Sequence, residues 1–391
     1  IMATEKNTEV QTVSTQDNSD SIKALETQLS QEEQQDKVVL ESKELIFDEI
    51  DADKLRAREL EYTDVEKHFV RKNAWLKVAK ELAPGVRSYY ARGLRYLTLP
   101  GFNRLDVALL RKENLLAVDP LDADKIYVAG FETDPAKYGR MASRNPKFKL
   151  FGNCSVEAAL TDHQNPYYTE LLGLFPFDII NLDLTTSLTP QKEGPYSTTM
   201  QAINNVFRQQ AGYPLPWSLF LTFRNVPTDW ERRALQQLCE NLQKNISDYP
   251  SVRDAFVKRY NELNVADLQK KDAKLCISQS VIKWLVDRAH SFDIHLKDYH
   301  CYEYQRYSDG LPPYTICKQV MTFSKGEVSI AVLPMKDTPR EAWMQEDLVK
   351  CINRHKPQDV EDKLYSISIQ RSTIFDEVKN EISELCRIDQ P

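Results

Sequence analysis

Arg95-Tyr-Leu-Thr-Leu99 is a short apolar run, closed by Pro100-Gly101 and followed by Leu105 to Leu116, whose apolar residues have helical spacing. A strand, a tight turn and a helix make one unit. The same unit then repeats. Lys125-Ile-Tyr-Val-Ala129 runs on to Glu132 and precedes a helix from Pro135. Phe148-Lys-Leu-Phe151 precedes a helix starting near Val156. Phe177-Asp-Ile-Ile-Asn-Leu182 ends at Asp183 and is followed by a helix from about Thr198 to Gln210. Trp217-Ser-Leu-Phe-Leu-Thr-Phe223 precedes a long helix, Trp230 to Ile246.

These strands lack the strict alternation of a half-exposed sheet. Continuous apolar runs suit parallel strands buried on both faces, and their alternation with helices predicts βαβ units. After two more helical stretches, about 251–264 and 274–291, the rhythm breaks. His295 to Arg306 and Tyr314 to Ser324 read as two strands joined by the turn Gly310-Leu-Pro-Pro313, an antiparallel pair. The expected fold is therefore α/β: a mainly parallel sheet of about seven strands in a three-layer sandwich, closing with an antiparallel hairpin.

Four regions follow from the pattern. Residues 1–46 contain no aromatic residue, no Gly and no Pro, with ten acidic side chains against four basic ones. Such a segment buries too little apolar surface to offset its ordering entropy, so it reads as a disordered acidic tail. Residues 47–94 read as a helical lead-in. Thr63 and Glu66 have the spacing of a capping box, and Pro84-Gly85 predicts the helix end. Residues 95–335 hold the α/β domain. Residues 336–391, helical around Trp343–Arg354 and Ile374–Cys386, form an appendage that packs on it or binds a partner.

The net charge is −7, of which the tail carries −6. The body is close to neutral, so its charge does not exclude nucleic acid. No apolar run reaches the roughly 18 residues that span a bilayer, and no signal peptide is evident. The seven cysteines, among them Cys154, Cys239 and Cys276, have no metal-ligand spacing and read as buried thiols of a cytoplasmic protein. His290, His295 and His300 recur every five residues, which matches neither a helix face nor a strand face, so no metal is expected.

In open parallel sheets ligands bind outside the carboxyl ends of the strands, where strand order reverses. The residues there are Gly101, Glu132, Asn153 with Ser155, and Asp183. A glycine lets a ligand approach the backbone. A carboxylate accepts hydrogen bonds from ribose hydroxyls, and a small polar residue reaches an adenine amino group. The order of elements, the acidic end of the second strand and the closing hairpin resemble the class I S-adenosylmethionine-dependent methyltransferases, over about residues 95–325. The resemblance implies S-adenosylmethionine as cofactor. It implies cofactor contacts from Gly101, Glu132, Asn153 and Ser155, and a catalytic place for Asp183 at the fourth-strand motif. Each residue also has a structural reading: Glu132, Asn153 and Ser155 suit helix caps, Gly101 a plain turn, and Asp183 a loop cap. The sequence departs from the family in having the single Gly101 in place of a glycine-rich loop. It reads Asn181-Leu-Asp-Leu184 at the fourth strand.

Residues 85–112 hold Arg87, Arg92, Arg95, Arg104, Arg111 and Lys112 against one acid, Asp106, with Tyr89, Tyr90, Tyr96 and Phe102 interleaved. The pattern suits RNA or DNA through phosphate contacts and stacking, or tyrosines packed in the core with arginines in solvent. Three functions remain in order: a methyltransferase, with nucleic acid as its acceptor; a catalytically inactive Rossmann-type subunit of a multiprotein complex, with the tail or the appendage touching the partner; and, last, a nicotinamide oxidoreductase, which lacks its G-x-G-x-x-G.

Overall fold

A computed structural model describes residues 65–101, 103–144, 146–191, 197–308, 311–325, 339–355, 358–359 and 380–385. The acidic tail, the capping residue Thr63 and the turn at 309–310 lie outside the described residues. Among the described residues no helix is long and apolar enough to cross a membrane.

Helix α1 (Val65–Val70) passes through a π-helical turn, Arg71–Trp75, into α2 (Leu76–Tyr90). Pro84-Gly85 does not stop α2, contrary to the sequence expectation. Lys80, whose carbonyl loses its Pro84 partner, and Pro84 and Gly85 themselves are all exposed, so water takes over the missing bond. The helix ends instead at Ala91, in the left-handed region at φ 53°. Strand β1 (Tyr96–Thr98) and α3 (Leu105–Lys112) form the first unit.

The second strand differs from the one expected at Lys125–Glu132. Asp122–Ile126 is β3, paired antiparallel with β2 (Val118–Asp119) in a separate ribbon, and the parallel strand β4 starts only at Val128 and ends at Glu132. Asp122 to Lys125 are exposed, which a strand covered on both faces does not allow. Helix α4 (Pro135–Ser143), β5 (Lys149–Gly152), α5 (Val156–Thr161), α6 (Tyr168–Leu174), β6 (Ile179–Asp183), α7 (Thr198–Gln210) and β7 (Trp217–Arg224) complete the alternating part. Then come α8 (Arg232–Asp248), α9 (Pro250–Tyr260), α10 (Val265–Lys271) and α11 (Ala273–His290). The hairpin is β8 (Ile294–Ser308) and β9 (Leu311–Lys325), followed by α12 (Pro339–Arg354) and β10 (Gln358–Asp359).

The main sheet has eight strands in the order β10-β8-β9-β7-β6-β1-β4-β5. Strands β5, β4, β1, β6 and β7 are mutually parallel. β9 pairs antiparallel with β7 and with β8, and the two-residue β10, which no sequence pattern marks, adds parallel to β8. Consecutive residues on a strand point to opposite faces, and here both faces are covered. Leu97, Ile180, Leu219 and Leu221 join one core with Phe207 of α7, Leu242 of α8 and Val281 of α11. Tyr96, Ile179 and Phe220 join the other with Val78 and Leu82 of α2 and Val107 of α3. That is a three-layer sandwich. Full burial of one such Leu, Ile or Phe side chain contributes about 1.5–3 kcal/mol.

The C-terminal residues belong to both cores. Leu348, Cys351 and Ile352 of α12 are buried with α11 and β8. Ile382 and Leu385, in a helical turn at 380–385, are buried with α2 and α3.

Candidate functional site at the carboxyl ends of the strands

Strand order reverses between β1 and β6, the place where an open α/β sheet leaves a crevice for a ligand. Four of the five sequence candidates sit on neighbouring strand ends to one side of it. Gly101 follows β1 with φ 61° and is exposed; nothing stands within 4 Å of where a Cβ would be. The glycine therefore serves a left-handed backbone. Glu132 ends β4 and is register partner to Gly152, the last residue of β5. Its Oε1 accepts the Asp134 N–H at 2.9 Å. Asp134 in turn accepts from the N–H groups of Ala136 and Lys137 and caps α4. The capping expected of Glu132 thus falls to Asp134, and Glu132 Oε2 bonds nothing among the described residues.

Asn153 is exposed, with φ 55°. Ser155 caps α5: its Oγ accepts the Ala158 N–H at 3.1 Å. A Cβ on Gly152 would collide with the Tyr138 ring, so Tyr138 lies flat against this strand end.

Beside these strand ends, between β1, β6 and α3, lies a buried hydrogen-bonded group. Tyr96 Oη and Thr98 Oγ1 both donate to Asp106 Oδ2, at 2.7 and 2.6 Å. Asn181 Nδ2 donates to Tyr96 Oη at 2.9 Å. This ties β1, β6 and α3 together at the point of reversal. Burial, followed by the Asp106 carboxylate, pushes the Tyr96 hydroxyl well above its ordinary pKa.

Asp183 ends β6 but faces the layer below α1. Its carboxylate is held by the Lys67 ammonium of α1 and by Lys318 Nζ of β9 at 3.3 Å. Register explains the second contact: Asp183 stands beside Thr222 of β7, and Thr222 beside Lys318. Lys318 is 1% exposed and its ammonium lies 4.4 Å from the Trp75 ring centroid. Trp75 stacks on Phe220 at 5.7 Å. Arg71, in the π-helical turn, adds a third cation, and its Nε and Nη1 are buried without hydrogen-bond partners among the described residues. Burial alone raises the pKa of Asp183, but Lys318 and Lys67 hold it well below the carboxylate range. Burial lowers Lys318 to about 7 despite Asp183. Sequence reading missed Lys67, Arg71 and Lys318. The one available signal was Lys318, the single charged residue between Leu311 and Ser324 of that strand.

The basic stretch 85–112 is largely spent internally. Arg92 Nη1 donates to the buried Asp178 Oδ2 at 2.6 Å, and Tyr213 Oη donates to the other carboxylate oxygen. The Arg95 guanidinium lies over the Tyr127 ring at 5.3 Å, and Arg104 is 4% exposed. Tyr89 is 62% exposed. Arg92→Glu is therefore expected to cost about 2–3 kcal/mol of stability, because it sets a second carboxylate against Asp178. Urea denaturation reads the loss, and an unchanged midpoint would discount the Arg92–Asp178 pair.

The strand order and directions define a Rossmann-like α/β fold. A family model described as PP_RS20740-like matches residues 156–313. No curated protein matches the chain. Among solved structures the chain is similar to a TehB-like SAM-dependent methyltransferase of Corynebacterium glutamicum, at 10% identity and TM-score 0.26, over 66% of this chain and 97% of that one. It is also similar to the plantazolicin methyltransferase BamL, solved with a triazolic desmethylPZN analog and SAH, at 8% identity and TM-score 0.31, over 70% and 92%. A third is M. jannaschii TYW2 in complex with AdoMet, at 9% identity and TM-score 0.27, over 64% and 75%.

Proposed function

We propose that the chain is a methyltransferase-like protein that binds S-adenosylmethionine across the carboxyl ends of β1, β4 and β5. The observation that carries this reading is Glu132: a half-buried carboxylate at the end of the strand next to β1, with Oε2 uncommitted. A ribose diol offers the two donors that such an oxygen accepts. Gly101 and Asn153, both exposed and left-handed, would let the cofactor lie against the backbone, while Ser155 contributes through the N-terminus of α5. Asp183, the residue proposed to face the acceptor, is reached only if Lys67 or Lys318 yields.

That last point favours a second reading, a Rossmann-type binding subunit without catalysis, its partner held by the acidic tail or the C-terminal segment. Nucleic acid as the acceptor or partner rests on the exposed part of 85–112, chiefly Tyr89 and Lys112, in a cytoplasmic setting.

Calorimetric titration with S-adenosylmethionine tests the cofactor. Glu132→Ala is expected to weaken binding at least about tenfold, the equivalent of 1.4 kcal/mol. Absence of binding at millimolar ligand removes the proposal; an unchanged affinity in the variant removes the role of Glu132. Binding without methyl transfer to any RNA or DNA offered supports the second reading.

A further inference from the structure

The histidine repeat excluded as a metal site on spacing is assembled by the fold with a third side chain. His290 is the last residue of α11 and His295 the second of β8. The five-residue step spans a helix end, a turn and a strand start, so neither periodicity applies to it. Asp347 of α12 comes between them. His290 Nε2 lies 3.0 Å from Asp347 Oδ2, and His295 Nδ1 lies 3.9 Å from the same oxygen. All three ligand atoms fall within 4.8 Å of one another.

The surroundings hold these groups in place. The Leu296 N–H donates to Asp347 Oδ2 at 2.9 Å. Lys350 Nζ donates to Oδ1 at 3.0 Å and to the Leu296 carbonyl at 2.8 Å. Lys350 thus fixes the carboxylate by the oxygen that faces away from the two rings. The rings meet edge to face at 4.8 Å, and Trp343 packs edge-on against His295 at 4.6 Å. His290 and Asp347 are buried, while His295 keeps 16% of its side chain in solvent, which gives an entry path.

We propose that His290, His295 and Asp347 bind one divalent transition ion, zinc foremost. Two imidazoles and one carboxylate suit zinc and its first-row neighbours, whereas magnesium and calcium take oxygen ligands. An ion about 2.0–2.2 Å from each ligand atom needs those atoms roughly 3.0–3.5 Å apart. The His290–Asp347 pair already meets this, and His295 must draw closer to both to complete the set. A hydrogen bond to the far oxygen of a ligating carboxylate, such as that from Lys350 to Oδ1, is what orients such a ligand, while the Leu296 N–H shares Oδ2.

The site lies far from the proposed cofactor crevice. Leu296 is level with Trp217, the first residue of the parallel strand β7, so it stands at the amino end of the sheet. Its ligands come from three elements, and an ion there would clamp α12 onto α11 and β8. The site is one of stability and regulation, not of methyl transfer.

The full chain, stripped with a chelator and titrated with zinc chloride, tests the proposal. One zinc per chain and a rise in Tm are expected, since a ligand that binds only the folded state stabilises it. Cobalt should give a visible absorption band that zinc displaces. His295→Gln should weaken zinc binding by at least about a hundredfold. His295 makes no short hydrogen bond to Asp347, so this variant should fold even if His290→Gln does not. His300→Gln, on the same strand but paired with Asp298, should bind as the parent does. No stoichiometric zinc, or equal binding by His295→Gln and the parent, overturns the site.

Discussion

Asp183→Ala is expected to cost about 3–5 kcal/mol of folding stability. The figure is that of a buried ion pair broken by removal of one partner, which strands the other charge in a place where water cannot reach it. Here the removal strands Lys318, with Lys67 and Arg71 nearby. Lys318→Met makes the contrasting case. Methionine has nearly the length of lysine, and the change leaves Asp183 paired with Lys67. It should cost less than about 1.5 kcal/mol. Urea denaturation of both variants reads the difference. If Asp183→Ala proves as mild as Lys318→Met, the carboxylate does not hold this layer together, and a role in chemistry becomes the better account of its place on β6.

The second large effect is on pH. Burial lowers His355 to about 3, and lowers His68 to about 4 with help from Arg71. His355 is locked between Ser278 Oγ at 2.8 Å and Tyr299 Oη at 2.6 Å. In the unfolded chain both imidazoles titrate near 6.5. Between that value and about 4 the unfolded state holds up to two more protons than the folded one, so stability falls as the pH drops through this window. Each proton is worth about 1.4 kcal/mol per pH unit. Lys318 acts in the same sense at higher pH. Its folded value of about 7 lies below the unfolded one, so the folded state binds fewer protons across the interval, and stability climbs as pH rises above 7. Denaturation midpoints at pH 4.5, 5.5, 7 and 8 should increase in that order; higher pH is avoided because buried thiols such as Cys317 and Cys351 keep protons that the unfolded chain releases there, which works the other way. His355→Gln should flatten the acid limb by about one proton, and a flat acid limb in the parent would count against the buried neutral imidazoles.

The fold was legible because its signal is local. A strand buried on both faces must be a run such as Ile179 to Leu182 or Trp217 to Phe223, and the chain must punctuate it with residues like Pro100-Gly101. Where the local signal is short or shared, reading fails. β10 has two residues. Lys125 and Ile126 look like the start of β4 but pair with β2. Pro84 sits on an exposed helix face, where its usual penalty is relieved by water.

The candidate site was legible in position and not in partnership. Strand ends can be counted, so Gly101, Glu132, Asn153 and Asp183 were found at carboxyl ends. What each one touches depends on segments distant in the chain. Asp183 and Lys318 are 135 residues apart, and only the register of three strands makes them neighbours. Ser155 is the reverse case: its capping bond is local, and it is the reading that adjacency in sequence already offered. Spacing could not have pointed to the His290–His295–Asp347 group, because a periodicity argument holds inside one element, and this group spans three.

The contact between α2's approach and the helical turn at 380–385 has a bearing on biosynthesis. Lys72 and Glu381 meet at 2.8 Å across 309 residues of chain, and Ile382 and Leu385 complete the apolar layer over α2 and α3. A ribosome adding about 5–20 residues per second delivers the second partner roughly 15–60 s after the first. Throughout that time the nascent chain carries Trp75, Val78 and Leu82 without their final cover. Such a protein cannot finish folding vectorially, from its beginning onward. Its first described helix is therefore sealed only after residues 380–385 have left the ribosome, and until then that apolar face lacks part of its cover.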